Sequence, residues 1–268
     1  MAKALSPYVA AYFRLRFDYP RIEDIERADV GYLRITMAGT GYYDFGPGER
    51  FHDCPATILG VSTKAARYAL EGPLHSFGCV LRPAFWGGIV DCDAQDFTNQ
   101  VVDAVGLLGA EVAALPQALA SQSDVGAMAA LLDAFLIPRI KPLPADQTAV
   151  IALISDWLSV DPTPPLEALY AACAVSPRQV MRYANRFFGA SPKMLARKLR
   201  ALRTASRILG TKGQVPDDLV APYSDRAHMS REVKHFTGVT PRGLQINSSP
   251  IMQISLQLPN FQTITPWA

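Results

Sequence analysis

The chain has 268 residues, 49% of them hydrophobic and 19% charged, which is enough apolar material for a folded core and excludes disorder throughout. Its 26 Lys and Arg against 24 Asp and Glu give a net charge of +2, a balance that taken alone argues against a polyanion binder. Split after residue 150, the same charge separates into an acidic part (12 basic against 17 acidic residues) and a basic part (14 against 7).

All 14 cations of the second part lie between Ser176 and Arg242, where only four acidic residues accompany them. Such a concentration is either the footprint of a polyanion partner or a solvated basic face. The longest uncharged stretch, residues 243–268, carries three prolines and many amides and hydroxyls, too polar for a membrane span. The first residues lack the apolar core of a secretory signal. Cys54, Cys79, Cys92 and Cys173 form no CxxC pair, so the chain reads as cytoplasmic, with isolated thiols.

In chain order, residues 8–90 read as β-rich. Val30–Met37, Tyr42–Phe45, Ala56–Val61, Ala66–Leu70 and Ser76–Leu81 are short apolar or alternating runs. Gly39-Thr40-Gly41, Gly46-Pro47-Gly48 and Gly72-Pro73 separate them as turns, the rhythm of an antiparallel sandwich or barrel. Helical spacing then takes over, at Phe97, Val101, Val102, Val105 and Leu108, and again at Met128, Leu131, Leu132, Phe135 and Leu136. The three prolines of residues 138–144 make a stiff connection. The expected organisation is a β-rich domain over 1–137, a linker over 138–148, a helical domain over 149–245 and a tail over 246–268.

The helical part begins with Ala149–Leu158. A short helix follows at Thr163-Pro-Pro-Leu-Glu-Ala-Leu, and then Ser176-Pro177 opens another, with Ser as N-cap and Pro at the first position. Val180, Ala184 and Phe187 give this helix an apolar face, and Arg178, Gln179, Met181, Arg182 and Asn185 occupy the other. Helix-turn-helix readout requires this arrangement: the underside docks and the outer side enters the major groove. Ser191-Pro192 opens a long helix with Leu195, Leu199, Leu202 and Leu209 on one stripe and Arg200, Arg203 and Arg207 on another.

The pattern returns about 49 residues later. Met229, Val233 and Phe236 form the apolar face of a helix after Tyr223-Ser224-Asp225, and Arg226, Ala227, Ser230, Arg231 and Lys234 form its outer face. The endings also match: Phe188-Gly-Ala-Ser-Pro192 and Thr237-Gly-Val-Thr-Pro241. An 18-residue linking helix spans about 27 Å, close to the roughly 34 Å between successive major grooves.

The stretch from about Thr163 to Leu244 resembles the DNA-binding domain of the AraC/XylS family of bacterial transcription regulators. The resemblance rests on Leu166-Glu-Ala-Leu, Ser176-Pro-Arg-Gln-Val-Met-Arg, Phe187-Phe-Gly-Ala-Ser-Pro192, and Tyr223-Ser-Asp-Arg-Ala-His-Met-Ser-Arg through Phe236-Thr-Gly-Val-Thr-Pro241. It implies base contacts from Arg178, Met181 and Arg182 and from Arg226, Ala227 and Arg231. It implies double-stranded DNA and RNA polymerase as partners, and often a homodimer. Phosphate contacts are expected from Arg200, Arg203 and Lys234. One departure concerns the scaffold helix of the second motif, which is short, starts at Pro216 and has Pro222 where the family has a turn glycine. A proline cannot supply a positive φ, so the second motif is expected to touch mainly backbone phosphate.

The β-rich part resembles the sensory half of the same family, a cupin-like barrel with a small-molecule pocket. The fold class is therefore α+β, a cupin-like barrel followed by an all-α double helix-turn-helix domain. Tyr42, Tyr43, Trp86 and Arg82 either line a pocket or pack the core. The helix over Asp124–Leu136 either dimerises or caps the barrel. His52 and His75 fall short of a cupin metal site, and His52-Asp53-Cys54 is no substitute, so neither metal nor cofactor is expected. His228 and His235 read as packing or phosphate contacts. No GxSxG, HExxH or P-loop is present, so the chain reads as no enzyme. The alternative is a small-molecule-binding or enzymatic barrel fused to a helical module that does not bind DNA. In the tail, Met252, Ile254, Leu256 and Leu258 alternate with polar residues, the period of a strand added to a sheet edge or of a frayed terminus.

Overall fold

A computed structural model describes residues 1–52, 54–160, 164–211, 213–257 and 260–262. The chain order is a β half followed by a helical half. Strands β1 (Val9–Phe17), β2 (Arg21–Glu26), β3 (Tyr32–Asp44), β4 (Arg50–His52), β5 (Ala56–Leu59), β6 (Ala66–Leu81) and β7 (Val101–Asp103) form one sheet. Its order is β1-β6-β3-β5-β7, with β2 also on β6 and β4 also on β3, and every pairing is antiparallel.

Two of the expected turns are not turns. β3 runs through Gly39-Thr40-Gly41 and β6 runs through Gly72-Pro73, and the two irregular stretches face each other. The register slips between Thr36 and Ala38 and again between Ala38 and Thr40. Gly39 has φ +83°, and a Cβ there would lie 2.8 Å from the Glu71 carbonyl oxygen. The glycines thus serve paired bulges that let one long β3–β6 ladder continue, a use the isolated sequence shares with turns. β1 takes the second half of β6 and β2 the first. At Gly46-Pro47-Gly48 the chain does turn, closed by Phe45 N–H donating to the Glu49 carbonyl.

The helix expected over residues 97–108 is also replaced. Ala94–Phe97 is a 3-10 turn, Val101 and Val102 enter β7 beside Leu59 and Ile58, and only α1 (Val105–Leu108) is helical. Short β-branched residues beside an open strand take the sheet when a ladder is available. α2 (Leu115–Ala120) and α3 (Val125–Leu136) follow. α3 is capped by Asp124, whose carboxylate accepts from Ala127 N–H, and it buries Met128, Leu132, Phe135 and Leu136 in the core of the β half. Its buried face caps the sheet.

The helical half comprises α4 (Ala145–Ser159), α5 (Leu166–Ala172), α6 (Pro177–Phe188), α7 (Pro192–Leu209), α8 (Asp217–Val220), α9 (Arg226–Thr237), α10 (Pro241–Asn247) and α11 (Pro250–Leu256). α4 begins four residues before the expected helix, and Thr163 lies outside the described residues. One apolar cluster joins α4 to α11 and takes in Ala28, Val30 and Val80 of the β half. Within it Phe187, Phe188 and Phe236 are buried, each contributing about 1.5–3 kcal/mol by burial. No described helix is long and apolar enough to cross a membrane.

The tail is not a strand. Ser249 caps α11 by accepting from Met252 N–H, with Pro250 at the first helical position, and the helix puts Met252 and Leu256 on one buried face. The alternation had an equal reading at i and i+4, and the Ser-Pro cap decides between them. Leu258 lies outside the described residues.

Candidate nucleic-acid interface

Both expected recognition helices form, and both are capped as their sequences dictate. Ser176 Oγ accepts from Gln179 N–H at 3.3 Å at the start of α6, and Asp225 accepts from His228 N–H at 2.6 Å at the start of α9. That bond holds the Asp225 carboxyl below its ordinary range. Each helix ends on a left-handed glycine, Gly189 (φ +71°) and Gly238 (φ +75°). Each is twelve residues long, and α7 joins the two motifs over 18 residues.

On α6, Val180, Tyr183, Ala184 and Phe187 are buried, while Arg178, Met181 and Arg182 face solvent. Gln179 is half-buried at the first turn, where its N–H is taken by the Ser176 cap. The Arg182 guanidinium lies 5.6 Å from the Tyr183 ring centroid. Tyr183 in turn donates its hydroxyl to Asp146 of α4 at 2.9 Å, anchoring the helix from behind. On α9, Arg226, Ala227, Arg231 and Lys234 are exposed and Ser230 is half-buried. Arg226 is held within its own motif, donating to the Val215 carbonyl at 2.9 Å and pairing with Asp217.

The rod between the motifs carries charge differently from its sequence stripe. Arg203 is buried and donates to the carbonyls of Leu158 (2.7 Å), Ser159 (3.1 Å) and Val160 (2.9 Å). It is the cap of α4's C-terminus, where a cation meets the negative helix end, and the expected phosphate contact from Arg203 does not hold. Arg200 stacks over Tyr223 at 4.8 Å and approaches Glu232. Arg197, which no sequence pattern singled out, makes a two-pronged bond to Glu232 (2.7 and 3.1 Å), fastening α7 to α9. Burial pushes the Glu232 carboxyl up, but Arg197 together with His228 and Arg200 outweighs it and the net shift is downward. Both histidines pack: His228 sits edge-on to Tyr223, and His235 lies edge-on to Phe236 with Nε2 3.0 Å from the Thr63 carbonyl.

The β half grips α6 and α9 at their C-terminal ends. Thr98 donates its hydroxyl to the Gly189 carbonyl at 2.7 Å, and Arg186 pairs with Asp91 and Asp93. Ala28 N–H donates to the Phe236 carbonyl at 2.6 Å and Ala65 N–H to that of His235 at 3.0 Å. Between them, the buried Lys198 of α7 donates to the carbonyls of Asp29 (3.0 Å) and Ser62 (3.1 Å). Burial pulls its ammonium down to about 8.

Three consecutive residues connect this grip to a cavity of about 520 Å3 in the β half. Arg27 lines the cavity, Ala28 holds α9, and Asp29 receives Lys198 of α7. The walls include Phe13, Leu15, Ile25, Leu70 and Val80, with Tyr32, Arg34, Tyr43 and Tyr68 among the polar lining. Arg34 donates to the Tyr43 hydroxyl. Enclosure raises the Glu26 carboxyl and the Tyr32 and Tyr68 hydroxyls above their ordinary values. Of the four pocket candidates named from sequence, only Tyr43 lines this cavity. Trp86 is buried against Phe97, with ring centroids 5.6 Å apart. The lining arginines and tyrosines come from β1, β3, β6 and the link between β2 and β3, so they converge only when these segments pair.

No protein-family model matches the sequence, and no curated protein does. Among solved structures, the chain is similar to ToxT from Vibrio cholerae O395, at 8% identity and a TM-score of 0.45, covering 88% of this chain and 97% of that one. It is also similar to unsaturated-fatty-acid-bound wild-type ToxT from Vibrio cholerae strain SCE256, at 11% identity and a TM-score of 0.44, covering 87% and 93%. An apo ToxT variant from the same strain gives 8% identity and a TM-score of 0.44 over 88% of this chain and 100% of that one.

Proposed function

We propose that this chain is a DNA-binding transcription regulator of the AraC/XylS type, controlled by a small molecule in the cavity of its β half. The observation that carries the reading is the pair of capped twelve-residue helices on one 18-residue rod, each buried on one face and cationic on the other. α6 is the base reader. Arg178 and Arg182 face solvent and can each take the two acceptors of a guanine, with Met181 between them for apolar contact. Gln179 supports that edge of the helix. α9 acts mainly on the backbone through Arg231 and Lys234, because Arg226 is already engaged with Asp217; Ala227 and Ser230 leave room for close approach.

The cavity has apolar walls and guanidinium groups at Arg14, Arg16 and Arg27, which suits an apolar molecule bearing an acid group. Its signal reaches the DNA side through the 27–29 strip. RNA polymerase and a second copy of the chain are the further partners of a regulator of this kind. Its functional division is a β half over 1–137, a connection that ends where α4 begins at Ala145, and a helical half that includes α10 and α11, and the cytoplasm is its place.

The test is a DNA titration at two salt concentrations on a selected site. Affinity should fall steeply with salt, and Arg182→Ala should lose about 1–3 kcal/mol while relaxing one base position. No binding at low salt, or an Arg182→Ala chain that binds like the parent, would favour the alternative of a ligand-binding barrel with an inert helical module.

A further inference from the structure

The C-terminal segment is used in neither motif, yet it packs against both halves. Ile251, Met252, Ile254 and Ser255 of α11, with Asn260 beyond it, line the β-half cavity. Ile251 packs on the cluster of Tyr43, Tyr68 and Leu70, whereas Met252, Leu256 and Phe261 belong to the core of the helical half. Ser206 of α7 donates its hydroxyl to the Leu256 carbonyl at 2.6 Å. The described residues of this segment therefore bridge the cavity wall and α7, the rod between the two motifs.

Its chemistry does not complete the cavity. Residues 243–268 contain no charged side chain, so no side chain of the tail offers a counter-charge to a site lined by several guanidinium groups. Phe261 is 1% exposed, and the Arg27 guanidinium lies 5.2 Å from its ring centroid. Arg27 is itself buried. It pairs with Asp29 at 3.0 Å, but its Nε has no hydrogen-bond acceptor among the described residues. A ring face is a weaker partner for a buried cation than an acid that can take its N–H groups. An aromatic or apolar anion entering the cavity would meet Arg27 better than Phe261 does.

We infer that residues 249–257 and 260–261 are a resident, tethered occupant of one side of the cavity, that an apolar anion displaces them from Arg27, and that their displacement frees α7 from the Ser206–Leu256 tie. The inference rests on the cavity being the effector site and adds how that site is gated. Binding in the parent carries the cost of removing the occupant. A plug in place nine-tenths of the time weakens apparent affinity about tenfold.

The experiment uses the full chain and 8-anilinonaphthalene-1-sulfonate, an aromatic anion whose fluorescence rises in apolar surroundings. Phe261→Ala removes the ring over Arg27 and leaves α11 intact. It should bind the probe about tenfold more tightly than the parent. A chain ending at Ser248 should do the same, and a synthetic peptide of residues 249–268 should displace the probe from it where a scrambled peptide does not. If the shortened chain does not fold, chymotrypsin replaces it: saturating probe should speed cleavage of the parent at Phe261. Equal probe affinity in parent and Phe261→Ala, or cleavage at Phe261 unchanged by probe, would overturn the inference. DNA affinity of the parent, measured alongside, decides the regulator reading separately.

Discussion

Gly238 is where α9 ends and where it touches the β half, and replacing it with Ala separates these two roles. The backbone there has φ +75°, and an added Cβ would lie 2.4 Å from Ile25 Cγ2 and 3.2 Å from Ala65 Cβ. A left-handed alanine costs roughly 1–2 kcal/mol, and overpacking a tight contact adds roughly 1–3 kcal/mol. Gly213 supplies the control. Its φ is +79°, but no atom of the described residues lies within 4 Å of an added Cβ, so Gly213→Ala carries the backbone cost alone. Urea unfolding of the two variants should therefore separate by roughly 1–3 kcal/mol, the contact between α9 and the β half. Since Ile25 adjoins the strip that grips α9, Gly238→Ala should also weaken DNA binding at temperatures where it remains folded. Equal destabilisation of the two variants would refute the claim that this cap is a docking point.

Arg203→Ala removes donors from three carbonyls at the end of α4. It should cost about 2–4 kcal/mol in unfolding without changing the salt slope of DNA binding; a shallower slope in the folded variant would restore a phosphate contact. Lys198 titrates at about 8 in the folded chain, against 10.5 for an ordinary exposed lysine. Between these values the unfolded chain binds more protons, so the folded form gains stability as pH rises through that window. The stability of the parent relative to Lys198→Met should accordingly improve between about pH 8 and 10, as read by urea midpoints; a constant difference would mean that the ammonium is not desolvated.

What was legible in the sequence is what short-range chemistry writes. Ser176-Pro177, Ser191-Pro192 and Asp225 announce their helices because a cap needs only the next three residues. Val180, Ala184 and Phe187 announce a buried face because helix geometry repeats. The outward arginines of α6 follow from that face by elimination. Arg203 broke the same rule: its stripe is real, but the end of α4 lies across it, and only tertiary structure brings Val160 to residue 203. The glycines at 39 and 72 were read as turns because each was read alone, whereas their meaning lies in their facing each other across β3 and β6. The cavity was illegible for the same reason, since Arg27, Arg34, Tyr43 and Tyr68 converge only when the strands pair. The tail shows the reverse. Ser249-Pro250 is the same signal as Ser176-Pro177, and the alternation after it is compatible with both periods.

The charge split gains meaning from the same contacts. Part of the basic excess is spent inside the molecule, by Arg197, Lys198, Arg203 and Arg226, and another part joins the halves, as Arg186 does with Asp91 and Asp93. Of the other described cations of this half that face solvent, Arg178, Arg182, Arg231 and Lys234 lie on α6 and α9, and Lys193, Arg207 and Arg242 lie on α7 and α10.

The most direct measurement of the central claim is binding-site selection from a random pool of duplex DNA by the full chain. Two helices on one rod predict an enriched site with a well-specified box for α6 and a second, weaker box about 10–10.5 base pairs away, the first lost in Arg178→Ala/Arg182→Ala. A pool that yields no enriched sequence, or a site unchanged by that double substitution, would contradict the account.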